Sequence, residues 1–413
     1  MANELTPLKS NDEADDYYLE EEEEEWSQTA IYAMWGGGVA VCLGMLYLFI
    51  FFLPSVYIPV ARPLDGVVKV AELDVGLSVL SPKRVKELGL DKFQFIDNDK
   101  KDEDEDDYEV DEANKDGNDY EADEQEDGEH AVSTANGVER YILVGDVHGE
   151  YQNLQRLLKK ISYNKKTDYL LLLGDFITKG PDSLKVLDWA IENDVDCILG
   201  NHEYYVLQNY AQFHNLYAPF FQDLNSTSME THFSTRDKFN NDPEYLLAKK
   251  LQLHQVEYIN KCSVIKRLGQ VPFHNPEANN GTKRSVQGAA VHAGLRWDLL
   301  ADLNEQEPMD NLEMRKLLPP FYNETTDDPH AEGAIGWTKI YKNKQKALSL
   351  KDKLVVYYGH DARRGLRLSK YTRGLDSRCN AGGHLSAMII WKEAGAKGKK
   401  VVYKEQAFQV ECK

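Results

Sequence analysis

Apolar and polar positions divide the chain into regimes that change abruptly along its length. Residues 1–30 are polar and acidic, with an unbroken run of glutamates at 20–25, and predict a disordered tail. Residues 31–53 then carry no charge at all. At about 1.5 Å of helical rise per residue they can cross a hydrocarbon core of about 30 Å. The stretch follows acids rather than a basic leader, so the expectation is an uncleaved transmembrane anchor rather than a signal peptide. Residues 54–96 mix short apolar runs with charge and predict a partly ordered stalk. Residues 97–130 are too acidic to bury a core and predict a flexible, self-repelling linker.

From Arg140 the pattern becomes strand, turn and helix, repeated, so that 131–413 reads as one α/β domain. Strands are expected at 141–144, 169–173 and 197–199. Between them, Leu154, Leu157, Leu158 and Ile161 mark one face of a helix, and 183–191 predicts another. The alternation stops after Tyr210. Residues 211–284 read as an insertion or cap over the site, irregular except for a helix expected from 244 to about 268. Strands resume at 289–291 and 354–358, and the tail predicts further strands at 385–391 and 401–403, expected to form a second sheet.

The predicted strands end in polar motifs: Gly145-Asp146-Val147-His148-Gly149, Gly174-Asp175, Gly200-Asn201-His202-Glu203, His292-Ala-Gly and Gly359-His360. Carboxyl ends of strands are where open α/β sheets bind ligands. Asp146 and His148, two residues apart, point the same way and suit one metal ion. Together with Asp175, Asn201, His202, His292 and His360 they exceed what one ion needs and suit two, about 3.5–4 Å apart with a shared carboxylate. Mixed nitrogen and oxygen donors favour Zn, Mn, Fe or Co over Mg or Ca. Such a pair grips phosphate oxygens and acidifies a water for in-line attack on phosphorus, while an imidazole left free of metal can protonate the leaving oxygen. Glu203 reads as a prop for the site rather than a participant. His214, His232, His254, His274 and His384 match no motif and are expected to be ordinary core or surface histidines.

Charge sharpens the division. The formal net charge is −21, but residues 1–30 and 97–130 together carry −26, which leaves the remainder at +5. The acidity belongs to the tails. Five cysteines form no CxxC pair or zinc-finger spacing, and buried or free thiols are expected rather than a disulfide framework. Orientation across the membrane is left open. Arg62 and Lys69 beyond the apolar stretch favour a cytosolic domain, whereas the glycosylation motifs at Asn225, Asn280 and Asn323 favour a lumenal one.

The order GDVHG, GDFITKG, GNHE, VHAG, GH resembles the calcineurin-like metallophosphoesterase superfamily, in its phosphoprotein-phosphatase-type branch, over about 139–413. The resemblance implies two packed mixed sheets flanked by helices. It also implies a first metal on Asp146 and His148, Asp175 as the bridge, a second metal on Asn201, His292 and His360, and His202 as general acid. Protein Ser/Thr phosphatases carry GDxVDRG as the second motif, with an Asp that orients the acid histidine and an Arg that grips phosphate. Thr178 and Lys179 stand in those places here. That departure, with GPDSLKVLDWA, is more similar to the symmetrical bis(5'-nucleosyl)-tetraphosphatase group. The single anchor in front resembles that group's fungal vacuolar zinc-dependent endopolyphosphatases. This implies two divalent ions (Zn, Mn or Co), inorganic polyphosphate as substrate, no nucleic-acid partner, and a vacuolar membrane location with the domain in the lumen. Alternatives kept in view are a dinucleoside-polyphosphate hydrolase, a phosphoprotein phosphatase and a non-catalytic polyphosphate-binding tether. Phosphate contacts are expected from Lys179, Arg363 and Arg364, with Arg367, Lys370, Arg373 and Arg378 extending the cationic stretch.

Overall fold

The first of two compact units, Met1–Ile58, contains the uncharged stretch as helix α1 (Gln28–Tyr47), which continues through a π-helical segment at Leu48–Phe52. Ser27 caps it by accepting a hydrogen bond from the Ala30 N–H. The run Gln28–Phe52 is long and apolar enough to span a bilayer, and none of the residues of α1 is buried. The computed structural model describes residues 27–53, 61–91, 137–224, 242–273, 284–326, 328, 330–395 and 401–413. The acidic linker expected at 97–130 and nearly all of the acidic tail lie outside that set.

The second unit, Pro59–Lys413, is built on two mixed six-stranded sheets. Its main elements, in chain order, are β1 (Val70–Glu72), β2 (Val79–Leu80), β3 (Arg140–Val144), α2 (Tyr151–Lys160), β4 (Asp168–Leu172), α3 (Ser183–Glu192), β5 (Asp196–Cys197) and α4 (Asn201–Phe213). There follow α5 (Pro243–Ala248), α6 (Leu253–Lys261), β6 (Ile265–Pro272), β7 (Ser285–Val291), α7 (Trp337–Lys346) and β8 (Leu354–Tyr358). The last are β9 (Arg367–Leu368), β10 (Thr372–Gly374), β11 (His384–Ala394) and β12 (Val401–Glu411). One sheet runs β12-β11-β3-β4-β5, with β2 on β11, and the other runs β9-β10-β8-β7-β6-β1. Residues of both sheets, such as Leu143, Leu171, Val291 and Val356, belong to one apolar core.

Several expectations change here. The supposed stalk, in its described part 61–91, is part of the domain: β1 pairs with β6, and β2 pairs with β11. The tail strands extend the first sheet instead of forming a second, because β11 lies antiparallel to β3. The second sheet is formed by β1 together with the strands that resume after residue 264. The helix expected from 244 to about 268 is two short helices, α5 and α6, followed by β6. A run of apolar residues this short does not distinguish a buried strand from a buried helix.

The cysteine reading is also corrected. Cys197 is bonded to Cys262 and Cys379 to Cys412, leaving Cys42 in α1 as a free thiol. Sequence separations of 65 and 33 carry no signature. The partners meet because the sheet brings them together: the Ile198–Ser263 bridge sets Cys197 beside Cys262, and the Cys412 N–H bonds to the Gly383 carbonyl.

Candidate metal centre

Strand register brings the motif residues level with one another. Val144 pairs with Leu172 and Leu172 with Cys197, so Asp146, Asp175 and Asn201 emerge side by side just past the ends of β3, β4 and β5. In the other sheet Ala290 pairs with Tyr357 and Tyr358 with Gly374, which aligns His292, His360 and Asp376 in the same way. The backbone is tightly constrained there. A Cβ at Gly359 would meet Asp146 Oδ1 at 2.1 Å. His148, Asp175, Thr178, Lys179 and His360 all adopt positive φ, and such strained residues cluster at functional sites.

The site centres on Asp175. Its Oδ1 lies 3.3 Å from His292 Nε2, and its Oδ2 lies 3.7 Å from both His148 Nε2 and His202 Nε2. His292 Nε2 is 3.0 Å from Asn201 Oδ1 and 3.2 Å from His360 Nδ1. Asp146 Oδ2 is 4.0 Å from His148 Nε2, and both its oxygens accept from the His360 backbone N–H. All seven residues that the motifs singled out therefore converge. Two overlapping sets can each hold a cation: His148, Asp175 and His202, and Asp175, His292 and His360.

Each histidine is anchored on its far side. His292 Nδ1 donates to the Leu173 carbonyl, His360 Nε2 to the Glu313 carbonyl, and His148 Nδ1 faces the Ile177 carbonyl. Carbonyls only accept, so the protons sit on the outer nitrogens and the lone pairs of His292 Nε2, His360 Nδ1 and His148 Nε2 face inward. His202 is different: its Nδ1 is 2.5 Å from Glu244 Oε1, a carboxylate rather than a carbonyl.

The electrostatics match a cation site. Burial pushes the His148 imidazole down to about 4, and burial likewise carries His360 well below its usual value, so both are neutral donors near pH 7. Burial opposes ionisation of Asp175, but His292, His202 and His148 outweigh it and hold its carboxyl well below the usual range. Asp146 is raised well above it, by burial first and then by Asp376 and Asp175. Two buried carboxyl groups, Asp146 and Asp175, among buried imidazoles give mixed oxygen and nitrogen donors that fit divalent Zn, Mn or Co.

Asp376, which shares a hydrogen bond with Asp146, was not among the sequence candidates. Its signal was available, since Gly374-Leu375-Asp376 repeats the pattern of an acid just past a strand end. Glu203 props the site as expected. It is fully buried and accepts from the backbone N–H groups of Asp175, Phe176, Ile177 and Gly200 at 2.7–3.2 Å. Burial, then the charge of Asp175, pushes its carboxyl up to about 8.

The cationic residues divide. Lys179 Nζ is 3.1 Å from His148 Nε2, at the site. Arg363 and Arg364 are exposed, Arg364 bonding to Thr338 and pairing with Asp361. Arg373 leaves the set, because it is buried and bonded to Glu405 at 2.7 Å. Lys370 lies over the rings of Phe273 and Tyr371. Arg315, which the sequence did not single out, donates to the His360 carbonyl at 3.1 Å. Among the histidines set aside, His214 packs on Tyr210 and His254 pairs with Asp188, both away from the centre, while His232 and His274 lie outside the described residues.

A sheet-end site of this kind defines a metal-dependent phosphoesterase, and the family model for calcineurin-like phosphoesterases matches residues 139–363. The chain belongs to that family. A zinc-dependent endopolyphosphatase of Saccharomyces cerevisiae is 28% identical over 289 residues, spanning 66% of this chain and 81% of the yeast protein. The symmetrical bis(5'-nucleosyl)-tetraphosphatase of Erwinia tasmaniensis is 48% identical over 71 residues, 17% of this chain and 26% of that enzyme. The corresponding enzyme of Wigglesworthia glossinidia brevipalpis is 42% identical over 74 residues, covering 17% of this chain and 27% of that enzyme. The chain thus spans about a quarter of these two tetraphosphatases and most of the yeast protein.

Proposed function

We propose that this chain cuts phosphoanhydride bonds inside inorganic polyphosphate while held to a membrane by α1. The observation that carries the reading is the convergence of Asp146, His148, Asn201, His202, His292 and His360 around Asp175 with Lys179 at its edge. In this reading Asp146 and His148 would hold one divalent ion and Asn201, His292 and His360 the other, with Asp175 shared between them. The bound ions supply charge neutralisation for the phosphate oxygens and lower the pKa of a water. Lys179 takes a neighbouring phosphate as a point charge, and Arg363 and Arg364, exposed after His360, receive further phosphates of the chain. His202 Nε2 gives its proton to the leaving oxygen. The similarity to a zinc-dependent endopolyphosphatase along most of its length supports the substrate class.

The same reading puts the domain in the lumen of the vacuole. Two disulfides suit an oxidising compartment and weigh against the cytosolic orientation that Arg62 and Lys69 favour. Of the three glycosylation motifs, Asn225 and Asn280 lie outside the described residues, and Asn323 is partly exposed.

A second reading, hydrolysis of dinucleoside polyphosphates, is favoured by the 48% identity over 71 residues to a symmetrical bis(5'-nucleosyl)-tetraphosphatase. Long-chain polyphosphate, diadenosine tetraphosphate and a phosphopeptide, each incubated over a panel of divalent metals, separate these. Progressive shortening of long chains on a gel is expected. Release of orthophosphate with the long chains otherwise intact would sink internal cleavage, and faster turnover of the dinucleotide would favour the second reading.

A further inference from the structure

The Glu244 contact stands apart from the other histidine anchors, because it is a side-chain carboxylate where the others are backbone carbonyls. Glu244 opens α5, behind Asp242 at the N-cap and Pro243 at the first position, and α5 is seated by buried Leu247 and Ala248. A carboxylate suits the first turn of a helix, where unpaired N–H groups point outward. Its side chain is 9% exposed, and Oε1 lies 2.5 Å from His202 Nδ1. On the other side of the ring, Nε2 faces Asp175 Oδ2 at 3.7 Å. Thr178, in the second motif, offers His202 no such partner: its Oγ1 is buried with no hydrogen bond among the described residues, and its N–H goes to Ser183.

We propose that Glu244 is the positioning residue for the acid His202, so that the segment between α4 and β6 carries part of the catalytic apparatus instead of merely covering it. The proposal rests on His202 being the acid. The carboxylate accepts the Nδ1 proton, fixes the tilt of the ring and leaves the Nε2 proton directed into the site. It also stabilises the charged imidazole before transfer. During the reaction the water oxygen forms its bond to phosphorus as the bond to the bridging oxygen breaks. That oxygen keeps the electron pair and takes the Nε2 proton. The attacking water loses one proton to solvent, from which His202 is recharged. A buried carboxylate bonded to the far nitrogen of a histidine is the arrangement that orients such a base or acid in unrelated hydrolases.

The test uses the full chain in detergent, metal-loaded, with two phosphate monoesters, p-nitrophenyl phosphate and an alkyl phosphate, so that it does not depend on polyphosphate being the substrate. A good leaving group needs little proton donation, and a poor one needs much. Glu244→Gln and Glu244→Ala are expected to lower kcat on the alkyl ester about ten- to a hundredfold, within the range general acids supply. Loss on the nitrophenyl ester should be only a fewfold, with KM and bound-metal stoichiometry unchanged. In a His202→Ala background neither substitution should add to the loss. Equal losses on both esters, a fall in bound metal, additive losses with His202→Ala, or no loss at all would each overturn the proposal. Glu244→Gln preserves volume and one acceptor oxygen, so it tests the charge even if Glu244→Ala fails to fold. If polyphosphate is untouched while the monoesters behave as described, the substrate reading fails and the role of Glu244 stands.

Discussion

Glu203 shows how a single side chain can hold a site without touching its chemistry. One buried carboxyl group accepts from four backbone N–H groups at the ends of β4 and β5, which is more than an amide can do. In Glu203→Gln one oxygen becomes an NH2 that faces N–H donors. The expected cost is about 2–4 kcal/mol of stability, read from denaturant melts, because buried donors are left unpaired. A melt within about 0.5 kcal/mol of the parent would count against this role. His148 carries the pH consequence. Its usual value is 6.5, and burial holds the folded form near about 4. Between those values the unfolded chain binds more protons than the folded one, so stability falls as pH falls. Metal-stripped protein should therefore lose thermal stability relative to a His148→Gln variant as pH is lowered from 6.5 towards about 4. A difference between the two that stays flat across that window would show that His148 does not titrate in this way.

At the level of elements, the segment after α4 is tied back to the site covalently. Cys197, in β5, precedes Asn201 and His202 by a few residues, and its partner Cys262 follows α6 directly. The bond therefore ties β5, which leads into His202, to the end of the helical segment that carries Glu244. By the chain-entropy argument, closing a loop with a sequence separation of 65 is worth about 4 kcal/mol. Cys197→Ser with Cys262→Ser should lower the unfolding midpoint accordingly, with a smaller effect from opening the Cys379–Cys412 loop of 33. Equal losses from the two pairs would mean that loop length does not govern their contribution.

For the whole molecule, the unit Pro59–Lys413 contains both sheets, their shared core and every residue of the candidate site. Removal of residues 1–58 is expected to leave kcat within about twofold while releasing the protein from membranes into the soluble fraction. This follows because domains with their own core fold independently of a tether. Fractionation and turnover of the truncated chain measure the two outcomes separately, and loss of activity on truncation would give the anchor a role beyond attachment. Truncation further into the chain should not be tolerated, since β1 lies at the edge of the second sheet and Val67 and Val70 are buried.

Local pattern was enough to read β3, α2, β4, α3 and β8, because each is a short element whose apolar period is set within its own residues. The same holds for the seven donors, which stand in motifs at strand ends and so declare both their chemistry and their position. Tertiary structure decided what depends on partners distant in sequence. Sheet membership placed residues 61–91 and the tail strands, because backbone hydrogen bonding depends on which edges meet rather than on composition. The cysteine pairs followed from that pairing. Glu244 lies 42 residues from His202, and no local spacing could connect them. The sequence by itself placed seven donor side chains in motifs at strand ends; only the folded chain decided which carboxylate meets His202, because that contact is made by packing between helices rather than within a motif.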